Sequence, residues 1–149
     1  MKKTLVFMVL LTLFAALSGG KPCPAMADDP IYTAYYQARA EARVCDRTGD
    51  TACAVALYLK AEAAALKQAE SKADDDTVNW IECADWQRNN AGYCLIMKQA
   101  DAKKRDEALL REALAILTAR EITSPKVLKV LEKNIKYCET QLDELDKSP

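Results

Sequence analysis

Histidine is absent from the 149-residue chain. That removes Ser-His-Asp and Cys-His catalysis, His-ligated zinc, c-type haem with a histidine axial ligand, and a histidine pH switch. Aromatic residues make up only 7%, and no excess of one charge exists, with 21 Lys and Arg against 22 Asp and Glu. The even balance gives no electrostatic reason to expect nucleic acid, and no basic run is longer than Lys103-Lys104-Arg105. No Cys-x-x-Cys pair occurs, so a thioredoxin-like redox site and a zinc ribbon both lack their spacing. The length suits one domain.

Six cysteines are present, which raises the question of compartment. Residues 1–27 read as a bacterial secretory signal peptide. Lys2 and Lys3 precede an apolar run from Leu5 to Leu17 broken only by Thr12, and Gly19-Gly20 leads to the small-residue cleavage site Ala25-Met26-Ala27. Ala16-Leu17-Ser18 offers an earlier cut after Ser18. The apolar run would span roughly 20 Å as a helix against a hydrocarbon core of ~30 Å, which disfavours a retained anchor. Lys21-Pro22 before Cys23 does not suit a lipoprotein. The expected destination is the periplasm or the exterior, with no membrane attachment after cleavage. Removing Lys2, Lys3 and Lys21 leaves 18 basic against 22 acidic residues, a net charge of −4. Cys23 departs as well, so five cysteines remain: Cys45, Cys53, Cys83, Cys94 and Cys138. An odd number in an oxidising compartment implies an unpaired thiol or an intermolecular bond.

From Asp28 onward the sequence predicts an all-α domain of about five antiparallel helices over residues 28–149. Asp29-Pro30 is an N-cap followed by proline at the first helical position, and Gly49-Asp50 ends that helix. An Ala-rich second helix covers about Thr51 to Ser71, with Leu57, Ala61, Ala64 and Leu66 for one face. Asp74-Asp75-Asp76-Thr77 is expected to cap a third helix carrying Trp80, Ile81, Ala84 and Tyr93 to about Gln99. A fourth covers about Lys103 to Glu121, and Ser124-Pro125 repeats the cap-plus-proline signal before a fifth. Short connections favour antiparallel neighbours, and both a bundle and stacked hairpins fit.

Cys45 and Cys53 lie four residues on either side of Gly49, at one height in an antiparallel pair, where a disulfide could staple the hairpin. Cys94 and Cys138 sit in the echoed strings Asn90-Ala91-Gly92-Tyr93-Cys94 and Asn134-Ile135-Lys136-Tyr137-Cys138. If the echo is a repeat, these thiols point the same way at an interaxial spacing of about 8–10 Å, beyond disulfide reach. Cys83 is expected to be a buried small hydrophobe. Asp74-Asp75-Asp76 lacks the alternating ligands and closing Glu of a calcium loop. Glu82 and Asp85, at i and i+3, could pair as acid and base, and an exposed helix face is the preferred reading.

The segment Gly49-Asp50-Thr51-Ala52-Cys53-Ala54-Val55-Ala56-Leu57-Tyr58-Leu59-Lys60-Ala61 resembles the turn and second helix of a tetratricopeptide repeat through Gly49, Ala54, Tyr58 and Ala61. Asn89-Asn90-Ala91-Gly92-Tyr93 resembles the first helix of another such repeat, where a small residue lets helices approach closely. Asp106-Glu107-Ala108-Leu109 resembles the start of its second helix, although Glu112 stands where an aromatic is usual. The resemblance implies a stack of hairpins over residues 30–122, capped by the fifth helix. It also implies peptide binding along the inner faces of the first helices. Carried over by position, that face holds Tyr36, Arg39 and Arg43, then Trp86, Asn89, Asn90 and Tyr93, then Lys133, Asn134 and Tyr137. Trp86 and Tyr93 are also natural core residues at this spacing. Asn amides suit a peptide backbone, Arg and Lys suit carboxylates, and the aromatics supply contact area.

The expectation is therefore an exported adaptor without catalysis or cofactor, binding another envelope protein or a peptide. The alternative is a periplasmic enzyme inhibitor or immunity-type protein acting through a loop at Gln99–Asp106 or Lys72–Asp76.

Overall fold

Two short sequence signals, Asp29-Pro30 and Thr48-Gly49-Asp50, define the first helical hairpin. The computed structural model describes residues 29–71, 78–101 and 106–147, so the signal-peptide reading and the Asp74–Thr77 cap lie outside it. Helix α1 spans Pro30–Arg47. The Asp29 carboxylate accepts the free N–H groups of Ile31 at 2.8 Å and Tyr32 at 3.2 Å, and Pro30 fills a position that needs no donor. Gly49, at φ 78°, turns the chain in the left-handed region while its N–H and that of Asp50 return to the carbonyls of Asp46 and Cys45. Asp50 then caps helix α2, Thr51–Ser71, by accepting the Cys53 N–H at 3.1 Å. Cys45 and Cys53 are joined as a disulfide across this turn, with Cα atoms 5.8 Å apart.

Helix α3 is Trp80–Asp101, α4 is Glu107–Thr118 and α5 is Pro125–Asp146. The residue that caps α3 is Asn79, whose side-chain oxygen accepts the Glu82 N–H at 2.9 Å; the helix starts later than the acidic run suggested. Asp106 caps α4 through Ala108 and Leu109, and α4 ends three residues before the expected Glu121. Ser124 holds the N-cap position of α5, yet its hydroxyl makes no cap bond. Its N–H donates instead to Asp85 at 3.1 Å. Among the described residues there is no strand, and the fold is all-α.

Each helix packs on the next, and α3 also packs on α5. Side-chain bonds fix the remaining directions. Gln87 meets Tyr35, and Cys94 meets Asp46, so α3 runs parallel to α1. Glu82 meets Lys126, Asn89 meets Asn134 and Gln99 meets Tyr137, so α5 runs parallel to α3. Helices α1, α3 and α5 thus form one row, with α2 and α4 each seated against two of its members.

Alanines dominate where α2 enters this arrangement: Ala54, Ala61 and Ala65 are fully buried. Small side chains let the axes approach closely, so α2 fits between α1 and α3 with little bulk between them. One apolar cluster joins Tyr35, Ala38, Ala61, Ala64, Ala65, Trp80 and Ala84. A larger one gathers the bases of α1 to α3 with Leu110, Leu117, Val127, Leu131 and Leu142. Gly92 faces Leu117 so closely that a Cβ there would stand 2.6 Å from the leucine Cγ and Cδ2. The outward side of α5 carries Lys129, Glu132, Lys136, Glu139 and Asp143, all exposed, so the row ends on a polar surface.

A buried charge network ties the halves together. The Glu62 carboxylate meets Arg88 at 2.7 Å and Arg120 at 2.9 Å, and Arg120 reaches Asp85 at 2.6 Å. Glu62, Asp85 and Arg88 are each at least nine-tenths buried. Two acids face two guanidiniums, so the network is neutral as a set, although removing one member would leave a buried charge unpaired at a cost of about 3–5 kcal/mol.

Candidate binding face

The row α1, α3, α5 carries all ten residues expected to bind a peptide, though not all of them are offered to solvent. On α1, Tyr36 is 40% exposed, with its ring 4.5 Å from that of Tyr32 and edge-on to Tyr35 at 4.9 Å. Partial burial, with Tyr32 beside it, pushes its hydroxyl up to about 12. Arg43 is exposed and Arg39 half-buried. On α3, Tyr93 is 46% exposed and Met97 42%, while Trp86 and Asn90 are half-buried on the same strip. Trp86 leans on the main core, whereas Tyr93 projects away from it. On α5, Lys133 is exposed and Tyr137 is 37% exposed, its hydroxyl donating to Gln99 at 3.2 Å.

Asn89 is placed differently from its expected role. It is buried, and its side-chain oxygen accepts from the Asn134 amide at 2.9 Å. The parallel approach of α3 and α5 turns these two asparagines toward each other, so they join the helices and leave Asn90 as the amide nearest solvent on α3.

The cysteines divide by burial. Cys94 and Cys138 are free, as expected if the Asn-x-x-Tyr-Cys echo is a repeat; both are buried, and burial pushes their thiols up to about 12 and about 11. The neighbouring Asp46 carboxylate adds to the rise at Cys94. Cys83 is free but only half-buried, because it lies on the edge of α3 that faces Tyr35 and Arg39 and not in the centre of the packing. Burial raises its thiol too.

Glu82 and Asp85 share a helix but not a site. Asp85 is fully buried with its two oxygens held by Arg120 and the Ser124 N–H, and Glu82 reaches out to Lys126 at 3.5 Å. Among the described residues no three Cys, Asp or Glu side chains gather as metal ligands would, and no helix is long and apolar enough to cross a membrane. Of the two candidate inhibitory loops, residues 72–76 and 102–105 lie outside the described residues, and Gln99 belongs to α3.

The residues that sequence reasoning missed are Tyr32, Arg47, Met97 and Lys126, which extend the same face. Helical spacing from Tyr36, Arg43, Tyr93 and Lys133 could have found them. Compared with known protein families, curated proteins and solved structures, the chain matches none.

Proposed function

We propose that the protein is an exported, non-catalytic helical module of the bacterial envelope that binds another protein or a peptide on its α1/α3/α5 face. The observation that carries this reading is the exposure of Tyr36, Tyr93, Met97 and Tyr137 on one row of helices, bordered by Arg43 and Lys133. Large aromatic side chains on a surface lose apolar contact with nothing in return unless a partner covers them, and Tyr and Arg are the residues in which binding energy concentrates. The tetratricopeptide-like pattern of residues 30–122 and the secretory pattern of residues 1–27 support the same reading. So does the Cys45–Cys53 disulfide, a bond that persists in oxidising compartments.

The test is capture of a partner from envelope extract by the purified protein and by the double variant Arg43→Glu, Asn90→Ala. Neither side chain supports the core, so helicity by circular dichroism should be unchanged while the captured species is lost. Equal capture by the variant would refute the assignment of this face.

A further inference from the structure

Helix α3 carries one thiol that the core does not enclose. Of the three cysteines outside the disulfide, Cys94 and Cys138 are buried, whereas Cys83 is half-buried. Its sulfur faces α1, with the Tyr35 hydroxyl and the Arg39 guanidinium beside it. Burial raises the thiol, and these two groups oppose that rise. The Glu82 carboxylate adds to it but is drawn aside by Lys126 at 3.5 Å. The ion pairs among the described residues use Arg88, Arg111, Arg120 and Lys126, so no carboxylate claims the Arg39 guanidinium.

A second observation falls at the same place. Gln87, one turn further along α3 and 1% exposed, donates its amide to the Tyr35 hydroxyl at 3.2 Å and to the Cys83 carbonyl at 3.3 Å. The oxygen of that same amide head is buried and accepts from nothing. A buried acceptor without a donor is a destabilising exception in a folded chain. The surroundings of Cys83 thus offer an unused acceptor from Gln87 and an unpaired cation from Arg39.

We propose that Cys83 is a modification site, where a hydroperoxide converts the thiol to a sulfenic acid that Gln87 and Arg39 hold. The thiolate sulfur attacks one peroxide oxygen. An S–O bond forms, the O–O bond breaks, and the sulfur gives two electrons to the peroxide. The departing hydroxide or alkoxide takes up the proton that the thiol released, so thiol and peroxide become sulfenic acid and water or alcohol. The product supplies both missing partners. Its O–H donates to the Gln87 oxygen, and its oxygen accepts from the Arg39 guanidinium. A single added oxygen also suits a half-buried sulfur better than the bulk of a mixed disulfide.

Sulfenic acids are ordinarily consumed by condensation with a neighbouring thiol. Cys94 lies eleven residues, about 16 Å, further along α3, where it bonds Asp46 at 3.5 Å, and the Cys45–Cys53 disulfide sits at that same end of the helices. Cys138 is buried on α5, the far side of α3. Among the described residues no thiol reaches Cys83, so its oxidised form persists until an external thiol reduces it.

The experiment treats the purified protein, its disulfide intact, with a small excess of hydrogen peroxide. Catalase then removes the oxidant, dimedone is added after graded delays, and the adducts are located by peptide mass spectrometry. Dimedone should mark Cys83 and not Cys94 or Cys138, and dithiothreitol added in its place should restore the free Cys83 thiol. Gln87→Met, which removes the acceptor at similar length, should shorten the lifetime of the sulfenic acid about tenfold, the loss of one buried hydrogen bond. That variant also loses the bond to Tyr35, so Arg39→Met, which breaks no hydrogen bond between helices, is measured beside it and should shorten the lifetime severalfold at unchanged helicity. Adducts on Cys94 or Cys138 as abundant as on Cys83, or passage to sulfinic acid with no adduct at any delay, would overturn the site. An unchanged lifetime in both variants would overturn the roles of Gln87 and Arg39.

Discussion

Replacing Gly92 by alanine tests whether contact between α3 and α4 sets their separation. In an unconstrained helix interior the change would stabilise by about 1 kcal/mol, because alanine loses less backbone freedom than glycine. Here the new Cβ would stand 2.6 Å from two carbons of Leu117 and 3.3 Å from a third. Carbon atoms pack best at about 3.5–4.0 Å, so the shortfall is about 1 Å. Leu117 is fully buried in the main apolar cluster. Overpacking of this kind costs about 1–3 kcal/mol, so the net effect expected for Gly92→Ala is a loss of about 0–2 kcal/mol. Leu117→Ala alone should cost about 2–5 kcal/mol through the cavity it leaves. In that background the clash is gone, and Gly92→Ala should stabilise by about 1 kcal/mol. The assay is urea unfolding of all four proteins followed by far-ultraviolet circular dichroism, with the denaturant slope checked for constancy. The expected signature is a change of sign for Gly92→Ala between the two backgrounds. Stabilisation by about 1 kcal/mol in both would refute the close approach.

Two further perturbations concern the cysteines. Reducing the Cys45–Cys53 bond, or replacing both residues by serine, should cost about 2–3 kcal/mol in urea unfolding, the chain-entropy value for a loop this small. Mass spectrometry after alkylation without reduction should find these two thiols blocked, and free thiols at both would refute the staple. Stability should also fall as pH rises above 9. The Cys94 and Cys138 thiols sit at about 12 and about 11 when folded against an ordinary 9.0, so the folded state binds more protons between those values. Their contribution is complete below pH 9 and is lost as pH passes through the folded values, at most about 1.4 kcal/mol per pH unit for each thiol. Cys94→Ala and Cys138→Ala should each flatten the curve, and an unchanged slope would show that neither thiol is shielded as its burial implies.

The helices were legible where the chain carries chemically unambiguous stops. Asp29-Pro30 and Gly49-Asp50 act through local backbone bonds and need no tertiary context, and the disulfide followed from symmetry about one turn. The start of α3 was misjudged because Asp74-Asp75-Asp76-Thr77 and Asn79 are all plausible caps in sequence. The choice of Asn79 goes with the burial of Trp80 among Tyr32, Tyr35 and Ala84, a packing fact. The Glu62, Asp85, Arg88 and Arg120 network was invisible for a similar reason. Each residue looks like an ordinary solvated helix position, and the partners are separated by 26 and 58 residues, with nothing local to join them. A usable hint was the setting of Glu62, an isolated acid in the run Ala61-Glu62-Ala63-Ala64-Ala65. On the candidate face, the repeat registration put Tyr36 and Arg43 where the structure exposes them, whereas Tyr93, for which core packing was the preferred reading, is exposed too. The registration could not reveal that Asn89 faces Asn134, since that depends on how near α3 and α5 lie.

The chain has two tryptophans, and the fold places them in opposite circumstances. Trp80 is 3% exposed, edge-on to Tyr35 at 5.4 Å and Tyr32 at 5.8 Å. Trp86, about 9 Å further along the same helix and turned well away from it, lies half-buried on the strip that holds Asn90 and Tyr93. The protein therefore contains two built-in optical reporters. Emission from Trp80, fed by energy transfer from its tyrosine neighbours, follows the integrity of the α1–α3 packing. Emission from Trp86 follows the polarity of the surface around Asn90 and Tyr93. Trp86→Phe leaves a signal of the buried packing and Trp80→Phe leaves a signal of that surface, so the two can be followed separately without any attached dye.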